Sequence, residues 1–130
     1  QAVETGRQVG LVQGVTVPPA PSGISEDAWQ QQVIEYAQGR GWRVAHFRKA
    51  RTKRRWITAV GADGKGWPDL LLCHEQRGVT IARELKVPPN KTTPEQDEWL
   101  RVLNVCNISA KVWEPLDWNE IERTLTTGEL

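Results

Sequence analysis

Methionine is absent from the 130 residues, position 1 included, and the chain has only two cysteines, one phenylalanine and one tyrosine. A start without methionine points to a beginning inside a longer chain or after processing. Cys73 and Cys106 are too few and too far apart for a disulfide scaffold. Both lie in apolar stretches, so they are expected to be buried thiols in a reducing, cytoplasmic setting. No apolar run approaches the roughly 20 residues that span a bilayer, and no basic-then-apolar leader opens the chain. Compositional bias is missing too: 38% apolar and 25% charged residues exclude collagen-like and disordered classes. One small globular domain is what remains.

Acidic residues are missing from one long stretch. Between Tyr36 and Ala62 there is none, whereas Arg40, Arg43, Arg48, Lys49, Arg51, Lys53, Arg54 and Arg55 all fall there, a local charge of +8. From Glu95 onward the balance reverses, with eight carboxylates against Arg101, Lys111 and Arg123. The formal net charge of +1 is therefore the residue of two opposed regions. A block of like charge is either a solvated loop or a surface for a polyanion such as a phosphate backbone. Trp42, Phe47 and Trp56, interleaved with the bases, could stack on nucleotides or belong to the core of flanking strands.

Residues 1–23 hold Pro18, Pro19 and Pro21 and no helical period, and read as an arm. Ser25 is a helix N-cap, followed by the stripe Trp29, Val33, Tyr36 and Ala37, and the helix stops at Gly39 and Gly41. Residues 42–47 alternate as a strand, and 56–60 form a second short one. The loop 61–66 contains Gly-Lys without a following Ser or Thr and with no helix pattern after it, so it is not expected to be a phosphate-binding P-loop. Residues 69–74 and 79–86 are apolar runs around Glu75-Gln76-Arg77-Gly78 and read as a β-hairpin. Thr93, Pro94 and Gln96 form a capping box for a helix with Trp99, Leu103 and Cys106 inward. A strand over 110–113 precedes a last helix over 117–125, capped by Asp117 with Ile121 and Leu125 buried.

The hairpin carries the chemistry. With a symmetric loop over 75–78, residues whose numbers sum to 153 face one another, so Asp69 opposes Glu84. Directly opposed side chains share a face with Cβ atoms about 4.5–5.5 Å apart. Two carboxylates so close repel unless a cation lies between them, and Lys86 shares that face because strand side chains alternate. A hard divalent ion such as Mg²⁺ suits the pair, and a metal so placed suits phosphodiester hydrolysis. A turn aspartate beside a surface Glu–Lys pair is the alternative reading of the same residues.

Pro68-Asp69 followed by Glu84-Leu85-Lys86 resembles the PD-(D/E)XK nuclease signature. Around it, Ser25-Glu26, Gly66-Trp67-Pro68-Asp69-Leu70, Thr93-Pro94-Glu95-Gln96 and Val112-Trp113-Glu114-Pro115-Leu116-Asp117-Trp118 are similar to stand-alone VRR-NUC proteins of phages and bacteria. The resemblance covers residues 24–126. It implies an α/β fold: a restriction-endonuclease-like core in αβββαβ order, with a mixed sheet flanked by helices and an extra C-terminal helix. It also implies that Asp69 and Glu84, helped by the Leu85 carbonyl, hold Mg²⁺ or Mn²⁺, and that Lys86 is the catalytic lysine. Glu26 corresponds to the acid on the first helix, and Gln96 to a glutamine near the site, although Gln96 also completes the capping box. His46 could meet a phosphate or be structural. Arg48, Lys49, Arg51, Lys53, Arg54 and Arg55 are expected to contact DNA. The activity expected is a structure-selective endonuclease, foremost a homodimer resolving four-way junctions. The alternatives are a less selective nuclease on flaps, nicked duplex or single strands, and a non-catalytic DNA-binding module.

Overall fold

The computed structural model describes residues 23–47, 49–51, 56–58 and 60–130, with 49–51 and 56–58 described by their backbone. The arm at 1–22, Arg48 and the basic residues Lys53, Arg54 and Arg55 lie outside the described residues.

Helix α1, Glu26–Gly39, begins where expected: the Ser25 side chain accepts the Ala28 N–H, and Glu26 and Asp27 sit in the first turn, where carboxylates complement the helix dipole. Its inward stripe is Trp29, Val33, Ile34, Tyr36 and Ala37, all buried. Strand β1, Arg43–His46, follows. The basic block is not wholly a loop. Lys49–Arg51 is strand β2, paired antiparallel with Trp56–Thr58, strand β3, in a ribbon of its own. A block of like charge reads as a loop or a polyanion surface, whereas backbone pairing between the two ends of the block supplies a strand that no local pattern marks.

Strands β4, Leu70–His74, and β5, Val79–Leu85, form the hairpin, with Leu70 opposite Arg83 and Leu72 opposite Ile81. This is the expected register. Helix α2, Pro94–Val105, carries the Thr93–Gln96 capping box, and strand β6, Ser109–Trp113, runs parallel to β5. A 3₁₀ turn, Pro115–Asp117, leads into helix α3, Trp118–Thr127. The sheet order is β1-β4-β5-β6. The result is a mixed four-stranded sheet flanked by helices, with a C-terminal helix, consistent with a restriction-endonuclease-like α/β core.

Alternation along β4 and β5 sorts side chains between two cores. Leu70, Leu72, Ile81 and Leu85 meet Trp29 and Val33 of α1 and Trp118, Ile121 and Leu125 of α3. On the opposite face Leu71 and Ala82 meet Leu103, Trp99 and Leu100 of α2. Indole N–H groups in the larger core find acceptors, Trp29 donating to the Trp113 carbonyl at 3.2 Å and Trp42 to the Leu125 carbonyl at 2.8 Å. Trp42 is thus a core residue, while the Trp56 side chain is not described.

Three local expectations need correction. Cys106 is exposed and Cys73 only half-buried, because α2 ends at Val105 and Cys106 is already the C-cap, turned out of the stripe. Trp99 is likewise half-buried, leaving Leu103 and Gln96 as the buried residues of that helix. Asp117 occupies the N-cap position of α3 without capping it. Its Oδ2 instead accepts the Glu114 N–H at 2.8 Å and closes the turn before the helix.

Candidate active site

The last hairpin pair, Leu70–Arg83, is followed in the same register by Asp69 and Glu84, on the face covered by α2. Asp69 stands at the mouth of β4, and its Oδ2 accepts the Leu85 N–H at 2.8 Å while its carbonyl accepts the Phe47 N–H at 2.8 Å. Each strand neighbour therefore holds one end of this residue. Glu84 is 1% exposed and Lys86 8%, with Lys86 Nζ 3.5 Å from Glu84 Oε2. The same Oε2 accepts the Gln96 side-chain N–H at 3.0 Å.

Gln96 has two tasks. Its Oε1 accepts the Thr93 N–H at 2.9 Å, and the Thr93 hydroxyl accepts the Gln96 N–H at 3.2 Å. The capping box clamps the side chain, so its remaining amide hydrogens are aimed at Glu84. A glutamine can do this because its amide offers an acceptor and donors at once. The capping pattern is legible in the sequence, whereas the bond to Glu84 depends on α2 crossing the end of β5.

Electrostatically the pair is unstable as two free anions. Burial, and then the neighbouring Asp69 charge, push Glu84 up from 4.5 to about 8, against the pull of Lys86. Burial also raises Asp69, opposed chiefly by the Leu85 N–H. With a proton, Glu84 can donate to Asp69; ionised, its Oε1 is buried with no hydrogen-bond partner. Such an orphaned, hard oxygen beside a second carboxylate fits a divalent cation, which would supply the missing partner and remove the repulsion. Among the described residues no three His, Cys, Asp or Glu side chains gather as ligands. Two carboxylates leave coordination positions for a backbone carbonyl, water and substrate oxygens, as suits Mg²⁺.

The other sequence candidates fall into two groups. Glu26, at the start of α1, lies close enough for its charge to raise Asp69, and its Oε2 accepts the Asn90 side-chain N–H at 2.9 Å. Asn90 had no signal in the sequence, since the segment 86–93 reads only as a connection. His46 Nε2 lies 3.1 Å from Gln30 Oε1 of α1, a contact within the fold. Lys49 and Arg51 belong to the ribbon backbone, and Arg48, Lys53, Arg54 and Arg55 are outside the described residues.

Gly66 explains how the Pro68-Asp69 segment meets α2. Its φ is +89°, and a Cβ there would lie 2.5 Å from the Glu95 carbonyl carbon. The glycine allows both the turn and the contact. Beyond it, Trp67 stacks edge-on against Phe47 and Trp99 at 5.7 and 4.9 Å, and Trp99 Nε1 donates to the Asp63 carbonyl at 3.0 Å. The aromatic trio anchors the glycine loop to α2.

The VRR-NUC domain model matches residues 26–114, from the first residue of α1 to the end of β6, and takes in Glu26, Asp69, Glu84, Lys86 and Gln96. No curated protein and no solved structure matched the chain. VRR-NUC domains are nucleases of the PD-(D/E)XK type, which generally use divalent metals and have DNA as their partner. With that model covering most of the chain, over the elements that bring Asp69 and Glu84 together, this protein belongs to the VRR-NUC family.

Proposed function

We propose that the protein is a Mg²⁺- or Mn²⁺-dependent DNA endonuclease that selects its substrate by shape, with four-way junctions as the principal target. The observation that carries the proposal is the pairing of half-buried Asp69 with buried Glu84, with Lys86 Nζ 3.5 Å from Glu84 Oε2. In this reading Asp69, Glu84 and the Leu85 carbonyl hold the ion, Lys86 is the catalytic lysine, and Glu26 and Gln96 support the pair. A bound ion lowers the pKa of the attacking water and offsets charge on the phosphate. Water attacks phosphorus, the P–O bond to the leaving oxygen breaks, and that oxygen takes up a proton. Lys86 orients the water or stabilises the pentacovalent phosphorus, and as an ammonium it can do the latter directly. Gln96, bonded to Oε2, holds Glu84 in one rotamer.

Selection by shape is supported by the charge pattern. Eight bases without an acid across 37–61 suit phosphate contacts, which position a protein on DNA without reading sequence. Symmetric cutting of two strands calls for two sites, and a C2 homodimer provides them. The domain proposed to do this spans residues 24–130, with 1–23 as an arm.

A cleavage assay in Mg²⁺ across junction, flap, nicked duplex, linear duplex and single strand tests the proposal, with sedimentation of the protein alone and on a junction. Preferred, paired incisions in the junction are expected. Equal cutting of flaps or single strands would move the reading to the less selective nuclease. Absence of Mg²⁺ and Mn²⁺ binding in calorimetry would leave a non-catalytic DNA-binding module.

A further inference from the structure

A groove of about 370 Å³ opens beside the site and shares Lys86 with it, while the rest of its lining has no part in the proposed chemistry. It lies at the carboxyl ends of β5 and β6, the parallel strands joined through α2, where α/β sheets commonly take ligands. Its walls come from two segments, the one after β5 with Lys86, Asn90, Lys91 and Thr92, and the end of β6 with the turn after it, carrying Val112, Glu114 and Asp117. Val112 is in register with Glu84, so the groove begins one strand spacing, about 4.8 Å, from that carboxylate.

The two walls have opposite chemistry. Lys91 is exposed and has no carboxylate partner among the described residues. Asn90 is fixed by its bond to Glu26. Across the groove, Glu114 and Asp117 each hold the other's backbone N–H in the turn after β6, and an ionised carboxylate engaged once keeps lone pairs for a further donor. A bare phosphate would meet repulsion from the second wall, and a simple cation from the first. A nucleotide satisfies both, with phosphate on Lys91 and base N–H donors on the carboxylates. The volume falls within the roughly 300–1,000 Å³ typical of small-ligand sites.

We propose that this groove takes one unpaired nucleotide of the cleaved strand, its phosphate toward Lys91 and an amino-bearing base edge toward Glu114 and Asp117. The inference rests on the nuclease reading for the identity of the strand. A carboxylate accepts from the 4-amino group of cytosine, whereas uracil presents a carbonyl at that position. A paired cytosine keeps one amino hydrogen free in the major groove, but a groove of about 370 Å³ has room for one nucleotide rather than a base pair, so the nucleotide taken is an unpaired one.

The test is fluorescence anisotropy of oligodeoxycytidine and oligodeoxyuridine in EDTA, where binding is read without cleavage. The wild type is expected to bind the cytidine strand several-fold more tightly. Glu114→Gln should abolish that preference. Lys91→Gln should weaken both strands alike, roughly 3- to 10-fold, and lower the salt slope by about 0.7, while Arg123→Gln on α3 changes neither. Equal binding of the two strands by the wild type, or Glu114→Gln tightening both equally, would overturn the proposal by showing the acidic wall to be merely repulsive. An unchanged salt slope in Lys91→Gln would overturn it as well. Cytidine preference in a protein that cuts nothing would refute the nuclease reading and keep the groove; cutting without that preference would do the reverse.

Discussion

At Glu84 the two carboxylate oxygens have different neighbours. Oε2 has Gln96 and Lys86, while Oε1 is buried without a partner. This asymmetry governs three expectations. Glu84 is raised to about 8 from 4.5, so between those values the folded protein holds a proton that the unfolded chain has released. The contribution of Glu84 to stability without metal is therefore fullest below about pH 4.5, falls as pH rises toward 8, and levels off above it, a loss on the order of a few kcal/mol. Thermal melts in EDTA from pH 5 to 9 read this, and Glu84→Gln should flatten the profile. Metal binding must expel the same proton, so Mg²⁺ affinity should climb with pH up to about 8 and then plateau. Calorimetry in buffers of differing ionisation enthalpy would detect the proton; its absence at pH 6.5 would contradict the assignment of Glu84 as a ligand. Asp69→Asn and Lys86→Ala should each cut cleavage by roughly two orders of magnitude or more, Lys86→Ala with DNA affinity largely retained. A gel assay of metal-dependent incision beside a binding titration separates the two effects.

Single elements translate these residue properties into position. The clamp on Glu84 depends on α2 meeting the Gly66 turn, where a Cβ would lie 2.5 Å from Glu95 at φ +89°. Gly66→Ala should cost about 1–3 kcal/mol and reduce cleavage beyond that loss, because the first turn of α2 carries Gln96; urea titration and an activity assay on the folded fraction measure both. Strand β5 holds a second buried charge, on the opposite face from the site. Arg83 is fully buried, donates to the Ala82 and Ser109 carbonyls at 2.8 and 2.7 Å, and lies 4.5 Å above the Trp113 ring. Burial lowers it to about 10, partly offset by Glu120. The Ser109 bond and the Trp113 contact tie β5 to β6 and so hold Glu84 beside Val112. Arg83→Ala should cost about 2–5 kcal/mol through lost packing, whereas Arg83→Met should stay near wild type, since apolar replacements of buried charges are often neutral. Urea midpoints of the two variants decide this. At this scale the sequence was most legible where the signals are local. The hairpin register followed from loop length and a period of two, and both helix starts from Ser25 and Thr93. Strand β2 was hidden, because its pairing with β3 joins segments on either side of a charged run.

Across the whole molecule the charges are divided, basic over 37–61 and acidic beyond residue 95. If the basic segment carries the phosphate contacts, reversing Arg51, Lys53, Arg54 and Arg55 together should weaken junction binding and flatten its dependence on salt by roughly 0.9 per lost contact. Anisotropy titrations at several ionic strengths measure that slope, and an unchanged one would remove the segment as the contact. The groove lies elsewhere, at the C-terminal ends of β5 and β6. Proposed backbone grip and base contact are thereby assigned to different parts of one fold.

Taken alone, the sequence determined the class of fold, the opposed Asp69 and Glu84 and the face shared with Lys86, since strand alternation and hairpin register are local consequences of the backbone. Tertiary structure alone decided that Gln96 reaches Glu84, that Asn90 holds Glu26, that Arg83 is buried and Cys106 is not, and that Lys91 and Glu114 share a groove. Each of these depends on where one element crosses another, and such crossings are set by packing of the two cores rather than by any pattern along the chain.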